Sequence, residues 1–318
     1  MVNREKLLEL HYLMLKVRRV EERLVDVFTL GKIPGFIHVS IGQEGVAAGV
    51  CSCLGPEDLI FTTHRGHGQA LAKGIDLKAF MAEIYGRRDG CCKGKSGSMH
   101  IACKKSGVAG SNGIVGAGLP ISLGTAFASM YRGDGKVTVC FFGDGASNQG
   151  TFHESLNIAA LWDLPVIFCC ENNGWAQFTS RKTYMKIENI GKRAEAYGMC
   201  GVTVDGDDVL KVCEEAEKAV ERARTGGGPT LLECKTHRWL GHYVGDAQKY
   251  RPAVEVKQVK EFDPIARFEK FLLQSNCVDQ AYLDGVEVRI GSEIEEAIAF
   301  AEGSPLAGAD ELFNDVYA

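Results

Sequence analysis

Two polar segments each follow a run of residues typical of a buried strand. Asp144 lies between two glycines after residues 136–142, and Asn173 follows residues 164–170. The two side chains are 29 positions apart, and residues 151–161 between them are predicted to form a helix. In a parallel sheet this order brings both side chains to the same edge. A carboxylate and an amide oxygen there suit a hard divalent cation, so the sequence predicts a metal-bridged diphosphate cofactor.

The rest of the chain alternates predicted helices with predicted strands. Helices are expected at residues 5–28, 40–53, 76–85, 151–161, 208–224, 263–274 and 292–302. Strands are expected at residues 136–142, 164–170, 202–204 and 229–235, and residues 106–131 are expected to be a loop followed by a buried helix. The alternation predicts an α/β fold whose mostly parallel sheet carries helices on both faces. Because neither an internal repeat nor a linker is visible, we expect one domain over residues 1–318.

Composition excludes several classes of function. The 318 residues are 45% hydrophobic and 24% charged, which is ordinary for a soluble globular protein. A net charge of −5 gives no electrostatic footprint for nucleic acid. The N-terminal residues carry regular charges and have no signal-peptide core, so we expect a cytoplasmic protein without a membrane partner. The twelve cysteines are expected to be reduced and mostly buried, and their spacing gives no complete zinc pattern.

Two common phosphate-binding motifs fit poorly. Residues 90–96 resemble a Walker loop, but one residue is missing between the glycines and no strand is predicted before them. The Gly143-Asp144-Gly145 segment has no third glycine at the dinucleotide-binding spacing. A nucleotide site of either kind is therefore disfavoured.

Several blocks in order resemble the α subunit of the first component of 2-oxoacid and acetoin dehydrogenase complexes. The diphosphate motif of thiamine-pyrophosphate enzymes corresponds to Gly143-Asp144-Gly145 followed by Glu171-Asn172-Asn173. Further matching blocks lie at residues 38–44, 63–68, 93–100, 112–116, 145–150, 159–166 and 238–242, and at the terminal residues 315–318. The resemblance covers nearly the whole chain and implies the thiamine-diphosphate-binding fold.

The resemblance also implies a cofactor, a metal and their ligands. The cofactor would be thiamine pyrophosphate, and Mg²⁺ would be bound by Asp144, the Asn173 side-chain oxygen and a backbone carbonyl near Trp175. Backbone N–H groups of Gly145 and Ala146, at a helix N-terminus, would cradle the diphosphate. The remaining positions implied to bind the cofactor are Arg65 at the diphosphate, Gly113 and Val115 at the aminopyrimidine ring, and His38, His64 and His242.

These positions have different expected roles, and several other positions differ from the residue that is usual in the family. His242 and His38 match active-site histidines of the family and are the catalytic candidates, with Arg238 supporting the loop that carries His242. His64 occupies a position that is often Tyr in relatives. Tyr243 stands where mitochondrial pyruvate enzymes have a phosphorylatable Ser, which puts the usual kinase switch in doubt. Ser96 replaces a frequent Gly, and Trp175 replaces a common Tyr.

The function implied is that of an α subunit in a decarboxylating or acetoin-cleaving dehydrogenase. It would form a heterotetramer of two α and two β subunits and pass an acyl unit to the lipoyl group of an acyltransferase component. Residues 241–251 look more like acetoin-type than pyruvate-type relatives, so acetoin is favoured over pyruvate, and branched-chain oxoacids rank last. The complex size and any regulation by phosphorylation stay open.

Two rival functions can be tested by particular residues. A non-catalytic partner subunit that kept the fold would have lost Asp144, Asn173 or His242, and all three are present. A thiamine enzyme acting alone would need both cofactor-binding halves, whereas this chain carries only the diphosphate half. In relatives a β-subunit Glu activates the cofactor, and the best rival for that role within this chain is Glu44.

Overall fold

The described residues, 3–311 and 313–315 of the computed structural model, contain a parallel sheet of six strands. The strands are β1 (Leu59–Thr63), β2 (Val108–Asn112), β3 (Thr138–Gly143), β4 (Val166–Asn172), β7 (Cys200–Asp205) and β8 (Thr230–Lys235), in the order β2-β1-β3-β4-β8-β7. Two short strands, β5 (Trp175–Ala176) and β6 (Thr179–Ser180), form a separate antiparallel pair. The change of strand order at β1 and β3 leaves a crevice at the carboxyl ends of the strands, the usual ligand site of such sheets.

Several helices begin where short polar side chains accept the first free N–H groups. Asp76, Asp208, Asp263 and Asp279 each cap a helix in this way. The helices are α1 (Arg4–Thr29), α2 (Glu44–Cys51), α3 (His67–Ala72), α4 (Leu77–Ile84), α5 (Gly118–Arg132), α6 (Gly150–Leu161), α7 (Arg181–Tyr184), α8 (Val209–Arg224), α9 (Ala253–Gln258), α10 (Pro264–Gln274) and α11 (Gln280–Gly303). Short 3₁₀ segments lie at Lys104–Ser106, Asp144–Asn148, Ile190–Tyr197, Val259–Phe262 and Ala309–Glu311.

Alternate residues of the central strands enter two separate apolar clusters. In β3, Val139 and Phe141 pack with α1, α2, α8 and α11, whereas Cys140 and Phe142 pack with α5 and α6. This alternation follows from the two-residue repeat of a strand. Helices therefore cover both faces of the sheet, and the predicted α/β architecture with a mostly parallel sheet is confirmed.

Element by element, the sequence prediction was right for the long, strongly apolar segments and wrong for weak ones. The four predicted strands correspond to β3, β4, β7 and β8, but β1 and β2 were not predicted. The last helix begins at Gln280, twelve residues earlier than expected. In the stretch expected to be a loop, residues 108–112 form β2. The helix after it, α5, is not wholly buried: Phe127 is 43% exposed and Tyr131 81% exposed.

Among the described residues, no helix combines the length and the apolar character needed to cross a lipid bilayer. All twelve cysteines are free thiols, and six of them are buried while six are partly exposed. Near the C-terminus, Asp315 accepts hydrogen bonds from Lys93 and Lys95. The matching terminal block was predicted over residues 315–318, of which 316–318 lie outside the described residues.

Candidate active site

The ends of β3 and β4 open into a cavity of about 420 Å³. Asp144 follows the last residue of β3 and Asn173 follows the last residue of β4, and the two strands pair with Gly143 opposite Glu171. The cavity is lined by every residue that the sequence assigned to cofactor or metal: His38, His64, Arg65, Gly113, Val115, Asp144, Gly145, Ala146, Asn173, Trp175 and His242. The fold therefore brings together segments as far apart in the chain as His38 and His242.

Asp144 is a buried carboxylate with one oxygen unused. The side chain is 1% exposed, and burial raises the pKa of its carboxyl group. The Tyr184 hydroxyl donates to Oδ2, while Oδ1 has no hydrogen-bond partner among the described residues. An unpaired buried carboxylate oxygen costs free energy unless a cation or a donor reaches it. The residue therefore has the chemistry required of a metal ligand.

Asn173 and its neighbour Asn172 face different partners. The Asn173 Nδ2 donates to Gln43 Oε1 at 2.9 Å, and its Oδ1 accepts from the Trp175 N–H at 3.1 Å. The Asn172 Nδ2 instead donates to the buried carboxylate of Glu233 at 2.6 Å. Asn173 lines the cavity and Asn172 does not. Only the second of the two adjacent asparagines is therefore available as a ligand.

Gly145 makes room where the backbone turns away from β3. A Cβ atom at this position would lie 2.7 Å from the Ala176 Cβ, so a side chain would force β5 to move. Residues Asp144–Asn148 form a 3₁₀ helix, and α6 begins at Gly150. The helix N-terminus expected at Gly145 and Ala146 is thus that of a 3₁₀ segment before α6, not that of α6 itself. This bare backbone at the cavity fits an anion such as a diphosphate.

Three histidines cluster at the cavity wall. The ring centroids of His38, His64 and His242 lie 4.8–5.3 Å apart. Burial, followed by the positive charge of Arg65, lowers the pKa of His38 to about 3, of His64 to about 2 and of His242 to about 4. All three are therefore neutral at pH 7. Although three imidazoles could hold a metal ion, Arg65 and Arg238 beside them favour an anion.

Arg65 is buried and is not a surface ion-pair residue. Its Nη1 donates to the Val39 carbonyl at 2.6 Å, and its Nη2 donates to the His242 carbonyl at 2.8 Å. Burial and the nearby charge of Arg238 lower the pKa of Arg65 to about 9. Two N–H donors of Arg65, which was expected to bind the diphosphate, thus donate to protein carbonyls. The positive charge of Arg65 remains at the cavity wall.

The loop that carries His242 is closed by one carboxylate. Asp246 accepts from the His242 N–H at 2.6 Å, the Gln248 N–H at 2.9 Å and the Tyr250 hydroxyl at 2.7 Å. A Cβ atom at Gly241 would lie 2.5 Å from the Asp246 Oδ2, so glycine is required for this close approach. Arg238, predicted to support the loop, is 2% exposed and lies at the start of it.

The segment that resembles a Walker loop already surrounds an anion of the protein itself. The carboxylate of Glu83, which is fully buried, accepts from the N–H groups of Cys92, Gly94, Ser96 and Gly97 at 2.8–3.1 Å. These amides therefore stabilise a side chain, which explains why the loop resembles a phosphate site without a preceding strand.

Sequence reasoning missed two residues that contact the predicted ligands and a third that contacts one of these two. Gln43 bonds Asn173, Tyr184 bonds Asp144, and Glu171 accepts from Gln43 at 3.3 Å and from Gln69 at 2.7 Å. Burial raises the pKa of Glu171 to about 7. A carboxylate at the end of an apolar strand was the available signal for Glu171, because acids are rarely buried without partners.

Glu44 does not reach the cavity. Its carboxylate accepts from Arg18 at 2.6 and 2.9 Å and from the Gly42 N–H at 3.0 Å, and it is fully buried. Arg18 is further bonded to Asp263 and stacks over the Trp239 ring. Glu44 is thus the partner of a buried ion pair, and the rival role of cofactor activation within this chain is unsupported.

Comparison of the sequence with known proteins shows the family to which the chain belongs. The model of the dehydrogenase E1 component family matches residues 12–309. Subunit alpha of acetoin:2,6-dichlorophenolindophenol oxidoreductase is 49% identical in Bacillus subtilis, over 98% of this chain and 94% of that one. The same-named subunit of Cupriavidus necator is 46% identical, over 99% and 95%.

A pyruvate enzyme is also similar. The pyruvate dehydrogenase E1 component subunit alpha of Zymomonas mobilis is 43% identical, over 99% of this chain and 89% of that one. The chain therefore belongs to the dehydrogenase E1 component family of thiamine-pyrophosphate-dependent oxidoreductases, and the thiamine-diphosphate-binding fold expected from its sequence is confirmed.

Proposed function

We propose that this chain is the α subunit of an acetoin-cleaving dehydrogenase that binds thiamine pyrophosphate through Mg²⁺. The observation that carries the site is the unpartnered Oδ1 of Asp144 beside Asn173 at the end of the paired strands β3 and β4. The substrate rests on similarity, because the relatives at 49% and 46% identity are named for acetoin and the Zymomonas mobilis relative at 43% is named for pyruvate. Pyruvate is the alternative substrate, and branched-chain oxoacids are a weaker one.

In this proposal the protein supplies the metal ligands and the phosphate cradle. Asp144, the Asn173 Oδ1 and the Trp175 carbonyl would bind Mg²⁺, which prefers hard oxygen ligands. The amides of Gly145 and Ala146 would receive the diphosphate. The chemistry supplied by bound thiamine pyrophosphate is a nucleophilic carbon that also serves as an electron sink.

The histidines would act as neutral groups. With pKa values of about 3 and 4, His38 and His242 hold one ring proton each at pH 7. Each can donate that proton to an oxygen of the substrate or the diphosphate and accept another at the second ring nitrogen. The Nδ1 of His38 is buried and has no partner among the described residues, so it is free for such a contact. Gly113, Val115, His64 and Arg65 would line the rest of the cofactor site.

A β subunit would complete the site. The acidic residues among the described lining of the cavity are Asp144 and Glu171. The first is assigned to the metal, and Oε1 of the second accepts hydrogen bonds from Gln43 and Gln69, which assigns Glu171 to a network within the protein. This supports a Glu from a second chain, and the family resemblance favours a heterotetramer of two α and two β subunits.

The surface beside the cavity supports the same partner. Ile114 and Val115, at the cavity wall, are 70% and 52% exposed. Toward the C-terminal ends of α5 and α6, exposed apolar side chains form what we call the α5–α6 patch: Phe127, Tyr131, Leu161 and Trp162. A contiguous apolar surface of this kind is typical of a protein interface.

The interface is tested with matched lysine substitutions. Phe127→Lys is expected to abolish co-purification with the β subunit while leaving the fold of the chain intact by circular dichroism. Val288→Lys is the control, since Val288 is 74% exposed on α11 at the other face of the sheet. Equal β-subunit binding by both variants would contradict the assignment of the α5–α6 patch.

The substrate is tested with the reconstituted α and β subunits. Dye reduction is measured with acetoin, pyruvate and a branched-chain oxoacid in parallel, and acetoin is expected to give the highest kcat/KM. A tenfold preference for pyruvate would replace the proposed substrate with the alternative. Acyl transfer to a lipoyl-bearing second component is tested separately, by adding lipoylated acyltransferase and following acylation of its lipoyl group.

A single domain over residues 1–318 and a cytoplasmic location stay predictions. The two apolar clusters that flank one sheet support the single domain.

A further inference from the structure

Asn173 can serve as a metal ligand only through its oxygen, because an amide nitrogen has no lone pair for a cation. Its side chain therefore has one useful orientation out of two that have almost the same shape. We propose that Gln43 is a positioning residue that selects this orientation, an inference that rests on the Mg²⁺ site proposed above. Nothing in the sequence motifs assigned such a role to Gln43.

The contact between the two amides has a defined polarity. The Asn173 Nδ2 donates to Gln43 Oε1 at 2.9 Å, which leaves the Asn173 Oδ1 on the other side of the amide, where it accepts from the Trp175 N–H at 3.1 Å. If Asn173 turned over, its oxygen would meet the Gln43 oxygen and its NH₂ group would meet the Trp175 N–H. Both hydrogen bonds would be lost together.

Gln43 cannot turn over to accommodate such a change. Its Nε2 donates to the Glu171 Oε1 at 3.3 Å, and the same oxygen accepts from the Gln69 Nε2 at 2.7 Å. A rotated Gln43 would set its own oxygen against this acceptor. Gln43 is 1% exposed and Glu171 is 4% exposed, so water is not available to replace the lost partner.

The three residues thus form a directed chain of hydrogen bonds from Glu171 through Gln43 to Asn173. The acceptor at one end fixes which atom of Asn173, its oxygen or its nitrogen, points away from Gln43 at the other end. Outer partners of metal ligands commonly act in this way, and their removal lowers metal affinity by roughly 10–100-fold. Gln43 begins the turn into α2, so the packing of that helix sets the position of the ligand.

The test compares two buried glutamines that donate to the same carboxylate. Gln43→Leu removes the acceptor for Asn173, whereas Gln69→Leu removes a donor to Glu171 and leaves the Gln43–Asn173 contact intact. In the reconstituted complex with saturating thiamine pyrophosphate, calorimetric titration with Mg²⁺ is expected to show about 10–100-fold weaker affinity for Gln43→Leu. For Gln69→Leu we expect a change below about threefold, with a similar loss of thermal stability in both variants.

The outcomes separate this inference from the proposed function. If wild-type complex binds thiamine pyrophosphate equally well with and without Mg²⁺, the metal site and this inference are both wrong. If the wild type requires Mg²⁺ but the two variants have the same Mg²⁺ affinity, only the role of Gln43 is wrong. Gln43→Met keeps the length of the side chain and provides the same comparison should Gln43→Leu not fold.

Discussion

Tyr184 donates its hydroxyl hydrogen to Oδ2 of Asp144, while Oδ1 of the same carboxylate has no partner among the described residues. Tyr184 is the last residue of α7, so a segment 40 positions downstream orients the carboxylate. A hydrogen bond to one oxygen fixes the plane of the carboxylate and directs the other oxygen. In the proposed metal site, Asp144 is therefore oriented for one ligand contact before any cation binds.

Asp144→Ala is expected to abolish Mg²⁺-dependent binding of thiamine pyrophosphate, because an octahedral ion tolerates the loss of a charged ligand poorly. Isothermal titration of the assembled α and β subunits measures the effect. Asp89→Ala is the control, since Asp89 is exposed and lies outside the cavity. Thiamine pyrophosphate affinity that is the same in both variants would overturn the metal assignment.

Asp246→Ala is expected to loosen the loop over residues 238–251, because it removes the acceptor of three hydrogen bonds. Hydrogen exchange of these amides should be faster than in the wild type. In the wild type, exchange should slow when thiamine pyrophosphate and Mg²⁺ are added. Identical exchange with and without cofactor would show that the loop is not a lid.

Glu44→Gln is expected to lower the free energy of unfolding by about 3 kcal/mol, because it breaks a buried ion pair and leaves Arg18 with Asp263 alone. Urea denaturation of the isolated chain measures this loss. Thiamine pyrophosphate affinity of the complex should stay unchanged. If the isolated chain instead turned over substrate and lost that activity in Glu44→Gln, the activating carboxylate would lie in this chain.

Acid should lower the free energy of unfolding of the chain through the three histidines at the cavity wall. Their folded-state pKa values, about 3 for His38, 2 for His64 and 4 for His242, lie below the ordinary value of 6.5. Below pH 6.5 the unfolded chain binds protons that the folded chain does not, so this stability is lost as pH falls from 6.5 towards 4.

The measurement is the difference in the free energy of unfolding between the wild type and His38→Gln. Glu171, with a pKa raised to about 7, titrates in the opposite sense, since its protonated form is favoured in the folded state. Subtracting the unfolding free energy of His38→Gln from that of the wild type cancels this contribution. The difference should fall between pH 6.5 and 5, and a flat difference would show that His38 does not resist protonation.

Sequence patterns predicted β3 and β4, the two strands in the middle of the sheet. Residues 138–143 and 166–172 are almost wholly apolar, and burial on both faces requires such composition. The strand Val108–Asn112 contains glycine, serine and asparagine, and it was expected to be a loop. It is a strand because it pairs with Leu59–Thr63 at the edge of the sheet, a partnership that local composition does not encode.

The sequence by itself determined the family, the two strand ends and the juxtaposition of Asp144 and Asn173, because a parallel sheet returns both residues to one edge whatever the details of packing. The tertiary structure alone decided what these ligands contact. Gln43 lies 130 positions from Asn173 and 128 from Glu171, and their hydrogen bonds depend on how α2 packs against the sheet. Periodicity predicts which face a side chain occupies, but the partner of a buried polar atom is fixed only when distant segments meet.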